Sequence, residues 1–245
     1  MPKSVDKDNR YKYNIHIIYL WKVFMEKTEI LKLVDHTLLL QTATVDEIRT
    51  VVEDGIKYGV ASVCIPSCYV KYAASLAQGR IKICTVIGFP LGSDTTEVKC
   101  FQAARAIADG ADEIDMVANV GMLRSGDIEY VFNDIKAVKD ACGDHVLKVI
   151  IETCLLTQEE KIEMCRIVSE SGADFIKTST GFSTGGATRE DIALMKANVR
   201  SGLGIKAAGG IRSFDDAQDF IRLGATRLGT SALVKLMKSD IPTGY

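Results

Sequence analysis

The sequence predicts a single α/β domain closed into a (β/α)8 TIM barrel, and three observations lead to that reading. From Leu33 onward, short apolar runs alternate with amphipathic stretches of about 10 to 16 residues, the pattern of repeated βα units around a parallel sheet. About eight such units fit the chain, the number that closes a barrel. Four helical stretches end at a glycine suited to the left-handed C-terminal position, each followed at constant spacing by a strand. A chain of 245 residues, 47% of them hydrophobic, is long enough to bury one large core of this kind.

The elements follow in order. The first candidate strand is "KLVDHT", after which Thr44 and Glu47 form a capping box for a helix ending at Gly59. "ASVCIP" and "KICTVIGF" are the second and third strands, and a helix ending at Gly110 leads into the fourth, "DEIDMVA". "LKVIIET" is the fifth; Thr157 with Glu160 opens the next helix, which ends at Gly172 before the sixth strand, "DFIKTS". Thr188 with Asp191 opens the helix before the seventh strand, "GIKAAG". Ser213 with Asp216 opens one ending at Gly224 before the eighth, "RLGTS". Residues 1–24 stand apart. Half of them are Lys, Asn, Tyr or Ile, and their apolar run is interrupted by His16 and Lys22, so it is neither a signal peptide nor a membrane span. The barrel is expected over 25–240, with 1–24 as an N-terminal extension outside it and 241–245 as a C-terminal tail.

Composition narrows the function classes. A net charge of -2 gives no electrostatic case for nucleic acid or membrane as partner. Cysteines at positions 64, 68, 84, 100, 142, 154 and 165 lack the dense spacing of a disulfide framework, which points to a reducing, cytoplasmic setting. Cys64 and Cys68 form a C-x-x-x-C without a second pair, so they read as core cysteines rather than a metal site. No G-x-x-x-x-G-K-[ST], H-E-x-x-H or G-x-S-x-G motif occurs, and "GFPLGSDTTEVK" lacks the G-x-G-x-x-G spacing.

Chemistry-bearing residues emerge when the four units are aligned on their glycines. The fourth residue onward is Val63, Ile114, Ile176 and Leu228; the fifth is Cys64, Asp115, Lys177 and Gly229. Strand side chains alternate, so apolar fourth positions facing the helices place the fifth inside the barrel, in one layer drawn from alternate strands. The plain alternative is a buried ion pair between Asp115 and Lys177, a poor source of stability. Against it, the next strand brings Lys206, so one carboxylate would face two amines, and crowded cations depress a lysine pKa and free its lone pair for attack. Lys148 is a fourth strand lysine, either an auxiliary site residue or half of a structural pair with Glu152.

The strand ends carry glycines and hydroxyls. Gly209 and Gly210 follow the seventh strand; Gly229, Thr230 and Ser231 lead into the last helix, where barrels of this kind commonly bind phosphate. "TSTGFSTGGAT", with Thr178 and Gly181, reads as a hydroxyl-rich loop over the same mouth. Arg212 is a phosphate ligand or an exposed helix-start arginine.

At this point the motifs "VDHTLL", "SVCIP", "VIGFPLGSDTTEVK", "GADEIDMVANVGML", "LKVIIETCLL", "GADFIKTSTGF" and "GIKAAGGIR" closely resemble the deoxyribose-phosphate aldolase family, from about Leu31 to about Leu233. The resemblance implies reversible cleavage of 2-deoxy-D-ribose 5-phosphate to acetaldehyde and D-glyceraldehyde 3-phosphate by a class I aldolase using no metal and no cofactor. It assigns the Schiff base to Lys177 and completes a catalytic triad with Asp115 and Lys206. It further places Asp35 and Thr37 near the substrate, matches Cys64 to a family cysteine whose plain role is core packing, and leaves His36 structural. Tyr245 resembles a terminal tyrosine that reaches the active site in relatives. One departure stands out: some relatives carry lysine at the position of Phe182, so the phosphate pocket here leans more on backbone groups. Partners are the small phosphosugar and aldehydes, and a homo-oligomer of two or four copies. Two competing readings remain: another phosphosugar isomerase or lyase without an imine, and a silent ligand-binding barrel.

Overall fold

The computed structural model describes residues 25–239. Residues 1–24 and the tail with Tyr245 lie outside the described residues, as do the expectations attached to them.

Eight strands, β1 (Val34–Thr37), β2 (Ser62–Ile65), β3 (Lys82–Ile87), β4 (Glu113–Val117), β5 (Val146–Ile150), β6 (Phe175–Lys177), β7 (Gly204–Ala208) and β8 (Arg227–Thr230), pair in sequence order, all parallel. Closure comes from β1 against β8, with Asp35 opposite Gly229. Around the sheet run α1 (Lys27–Leu31), α2 (Val45–Tyr58), α3 (Val70–Ala77), α4 (Thr96–Ala108), α5 (Val120–Arg124), α6 (Ile128–Cys142), α7 (Gln158–Glu170), α8 (Arg189–Asn198), α9 (Phe214–Leu223) and α10 (Ala232–Ser239).

Helix α2 shows how the local sequence produces these units. Thr44 accepts from the Glu47 N–H at 3.3 Å while the Glu47 carboxylate accepts from the Thr44 N–H at 2.8 Å, so two orphan donors of the first turn are satisfied. Ile48, Val51, Val52 and Gly55 then recur on one buried face. A Cβ on Gly55 would come within 2.6 Å of Val63, so glycine lets the helix press onto β2. The helix stops at Gly59 with φ +63°, which L-residues rarely adopt. Gly110, Gly172 and Gly224 likewise have positive φ, as the spacing predicted.

Two expected capping boxes form only in half. Thr188 and Ser213 accept from the N–H groups of Asp191 and Asp216, but an aspartate is a methylene shorter than glutamate. Asp191 turns instead to Thr153 and Lys161, and Asp216 takes the Arg212 N–H.

The apolar core is an annulus between sheet and helices: Val63, Ile114, Ile176 and Leu228 are all fully buried there. Burying each such side chain contributes about 1.5 to 3 kcal/mol. With this face apolar, alternation turns the next residue of each strand into the barrel. Cys68 departs from its reading as a core cysteine: it sits exposed in a one-turn 3-10 helix after β2, away from Cys64.

Candidate active site

The barrel interior is polar. Asp115 on β4 lies at its centre: one carboxylate oxygen accepts from Lys148 on β5 at 2.8 Å, and the other from Lys177 on β6 and Lys206 on β7, each at 2.7 Å. The register accounts for this, because Asp115 is opposite Lys148 and Lys177 is opposite Lys206. Gly229 leaves the room: a Cβ there would lie 3.2 Å from the Lys206 Cε.

The structure corrects the expectation of a single carboxylate. Asp35 accepts from Lys206 and, at 2.7 Å, from Arg227, while Glu113 accepts from Arg227 at 2.8 Å and lies 2.7 Å from the Lys148 amine. Glu152 is not the partner of Lys148; its carboxylate takes the Thr180 N–H and hydroxyl instead. Glu113 and Arg227 were missed by sequence reasoning, although each lies two residues before a flagged position and so on the same strand face. Cys84 was missed too; its thiol donates to Asp115 at 3.2 Å.

Burial alone would raise the Asp115 pKa, but Lys148, Lys177 and Lys206 outweigh it and hold the carboxyl well below the usual range. Asp35 is likewise lowered, its desolvation overcome by Lys148, Lys206 and Arg227. Burial works against the charge of Lys148 and Lys206, yet Asp115 and Asp35 raise both above the ordinary lysine value. Those two amines are fixed cations. Four basic side chains, Lys148, Lys177, Lys206 and Arg227, face three carboxylates, Asp35, Glu113 and Asp115, so a fully ionised cluster carries surplus positive charge. The carboxylate oxygens are already engaged by ammonium and guanidinium groups. Cys64, Cys84 and Asp115 do bring ligand atoms within 4.8 Å of one another, as do Asp35, Cys84 and Glu113, but those carboxylates are the same ones.

A cavity of about 910 Å³ opens above the cluster at the C-terminal ends of the strands and extends outside the sheet between α2 and α10, where His36, Asp54, Lys235 and Lys238 line it. Lys177 reaches it; Asp115 and Lys206, fully buried, lie beneath. Gly181, Gly209, Gly229, Thr230, Ser231 and Thr37 line it. Others are placed differently. Asp35 is a buried partner of the cations rather than a cavity residue. Thr178 spends its hydroxyl on the backbone of Ala208, tying β6 to β7. Gly210 and Arg212 lie off the cavity, and Arg212 is exposed at the start of α9, the structural half of its two readings. Cys64 is fully buried beside Cys84 and Val86, in keeping with core packing. His36 lines the cavity, which residue-level reasoning had not expected. Phe182 also lines it, its ring edge-on to Phe89 at 5.2 Å.

Comparison with known proteins places this geometry. The chain is 57% identical over 216 residues to a deoxyribose-phosphate aldolase of Streptococcus agalactiae serotype Ia, covering 88% of this chain and 97% of that one. It is 56% identical over the same length to the enzyme of that name from Streptococcus pyogenes serotype M4, with the same coverage. Among solved structures, the tetrameric deoxyribose phosphate aldolase from Aeropyrum pernix superposes with a TM-score of 0.80 at 31% identity, covering 87% of this chain and 92% of that one. The model of the DeoC/LacD family of aldolases matches residues 29–234. Because that match begins before β1 and ends beyond β8, it takes in the whole barrel, and the chain belongs to the DeoC/LacD aldolase family.

Proposed function

We propose that this protein is a class I aldolase that reversibly cleaves 2-deoxy-D-ribose 5-phosphate into acetaldehyde and D-glyceraldehyde 3-phosphate through a Schiff base on Lys177. The observation that carries the proposal is positional: of the three interior lysines around Asp115, Lys177 alone lines the cavity, and it has one carboxylate partner where Lys148 and Lys206 have several. As its free base the Lys177 amine adds to the aldehyde carbon of the open-chain sugar, and the carbinolamine takes up a proton and loses water to form an iminium. Removal of the 3-hydroxyl proton breaks the bond between carbons 2 and 3, and the electron pair moves into the iminium to give an enamine. Asp115, with Lys206 and a water, takes that proton and returns one to the enamine carbon; hydrolysis then frees acetaldehyde. Lys206, held cationic between Asp35 and Asp115, keeps the field positive throughout.

The sugar phosphate fits the part of the cavity lined by Gly181, Gly209, Gly229, Thr230 and Ser231. Its binding energy orients the reacting end, so the unphosphorylated sugar reacts poorly. A homo-oligomer as the active form is supported by the tetrameric relative from Aeropyrum pernix. Borohydride reduction with acetaldehyde tests the chemistry: mass spectrometry should find an ethyl group on Lys177 and none in Lys177→Met, with turnover in the wild type unaffected by EDTA. An isomerase or a silent barrel on this fold would acquire no label.

A further inference from the structure

We infer that Glu152 is a positioning residue for the phosphate end of the site, holding the loop of residues 179–186 so that Gly181 faces the cavity. The inference rests on the reading of the site given above. Glu152 follows β5 with φ +52° and ψ 65°, a region sparsely used by residues other than glycine, and it is 4% exposed. Among the described residues its carboxylate has no ion-pair partner. Both oxygens accept instead from the Thr180 N–H, at 3.2 and 3.4 Å, and one also takes the Thr180 hydroxyl. The Thr180 Oγ1 in turn accepts from the Phe182 N–H at 3.0 Å, so the two bonds bracket Gly181. Between Thr178 and Ala187 the loop makes no backbone-to-backbone hydrogen bond among the described residues, which leaves Glu152 as its principal fastening. A weaker tie runs from the Cys154 thiol to Ser183 at 3.4 Å. At its far end the loop presses on Gly209, where a Cβ on Gly186 would come within 2.6 Å.

Lys177 is held separately. Its carbonyl accepts from the Ile151 N–H at 3.0 Å, and the Thr178 N–H donates to the Lys206 carbonyl at 3.1 Å. Loss of the Glu152 carboxylate therefore loosens the phosphate end and leaves the reacting lysine in place. The bonds to Thr180 also matter electrostatically, because a carboxylate turned toward the cavity would repel the phosphate dianion.

The test compares wild type, Glu152→Gln and Glu152→Gly, the last retaining freedom for the left-handed backbone while removing the carboxylate. Three measurements are made on each: kcat and KM for 2-deoxyribose 5-phosphate and for 2-deoxyribose, calorimetric affinity for inorganic phosphate, and borohydride trapping with acetaldehyde. Glu152→Gly should raise KM for the phosphorylated sugar and weaken phosphate binding by about tenfold, with kcat/KM for 2-deoxyribose and trapping within about twofold of wild type. Glu152→Gln, which keeps an acceptor for Thr180, should recover most of the loss. An unchanged phosphate affinity in Glu152→Gly, or an equal loss toward both sugars, overturns the inference. Absence of trapping in wild type overturns the imine reading instead and leaves the phosphate measurement to decide the role of Glu152. Should Glu152→Gly not fold, Thr180→Val, which removes the hydroxyl at the same contact, is measured in its place.

Discussion

Lys148, Lys177 and Lys206 are the same side chain on adjacent strands, and what separates them is the number of carboxylates each one meets. Lys148 and Lys206 are tied to Asp115 and Asp35 together, beyond the reach of solvent, whereas Lys177 touches Asp115 alone at the floor of the cavity. His36 makes a pH prediction at the same scale. It points out of the barrel with Nδ1 unpartnered among the described residues, and burial pushes it from the usual 6.5 down to about 4, with nearby Lys235 and Lys238 opposing its charge and Asp54 favouring it. Above pH 6.5 the ring is neutral folded or unfolded. Between 6.5 and 4 the unfolded chain takes a proton that the folded one refuses, so stability falls as the pH falls through that window, by up to about 3 kcal/mol. Urea unfolding at pH 7 and pH 4.5 should therefore show a smaller acid loss in His36→Gln than in wild type; equal losses would place the acid sensitivity elsewhere.

Among the elements, α4 and α6 share a feature that the sequence motif "DTTEVK" does not reveal. Lys99 is fully buried and pairs with Asp134 at 2.7 Å, and Thr96 donates to the same carboxylate at 2.9 Å. The Lys99 chain passes beneath Gly88, whose N–H is held by Gln102 at 2.8 Å, so the pair supports the β3–α4 turn that carries Phe89 against Phe182. A buried pair gains little over a well-packed apolar replacement, but breaking it strands a charge. Asp134→Ala should cost about 3 to 5 kcal/mol in denaturant unfolding, and the double variant Lys99→Met with Asp134→Leu should recover most of it. A single variant as stable as wild type would show that the pair does not fasten the helices.

At the scale of the whole molecule the barrel is two concentric chemistries, an apolar annulus outside the sheet and an ionic interior that ends at a cavity. The family match over 29–234 supports the proposal that the folding unit begins near Met25. A shortened chain starting at Met25 should melt within a few degrees of the full one and keep its turnover; failure to fold would move the domain boundary upstream. Much of this organisation was legible in the sequence. Period-two alternation placed Cys64, Asp115, Lys177 and Gly229 inside, and the glycines, which favour the positive φ at Gly59 and Gly224, timed the units. Pairing across the barrel was not legible. Nearness along the chain offers Glu152 as one partner for Lys148, yet the carboxylates of Lys148 come from β1 and β4, and Glu152 serves the loop after β6 instead. Alternation is a local property of the backbone and can be read from the residues alone, so the sequence by itself determined the barrel and which side chains face inward. Which charges meet depends on closure, because only when β8 returns to β1 do Asp35, Arg227 and Lys206 come within reach of one another.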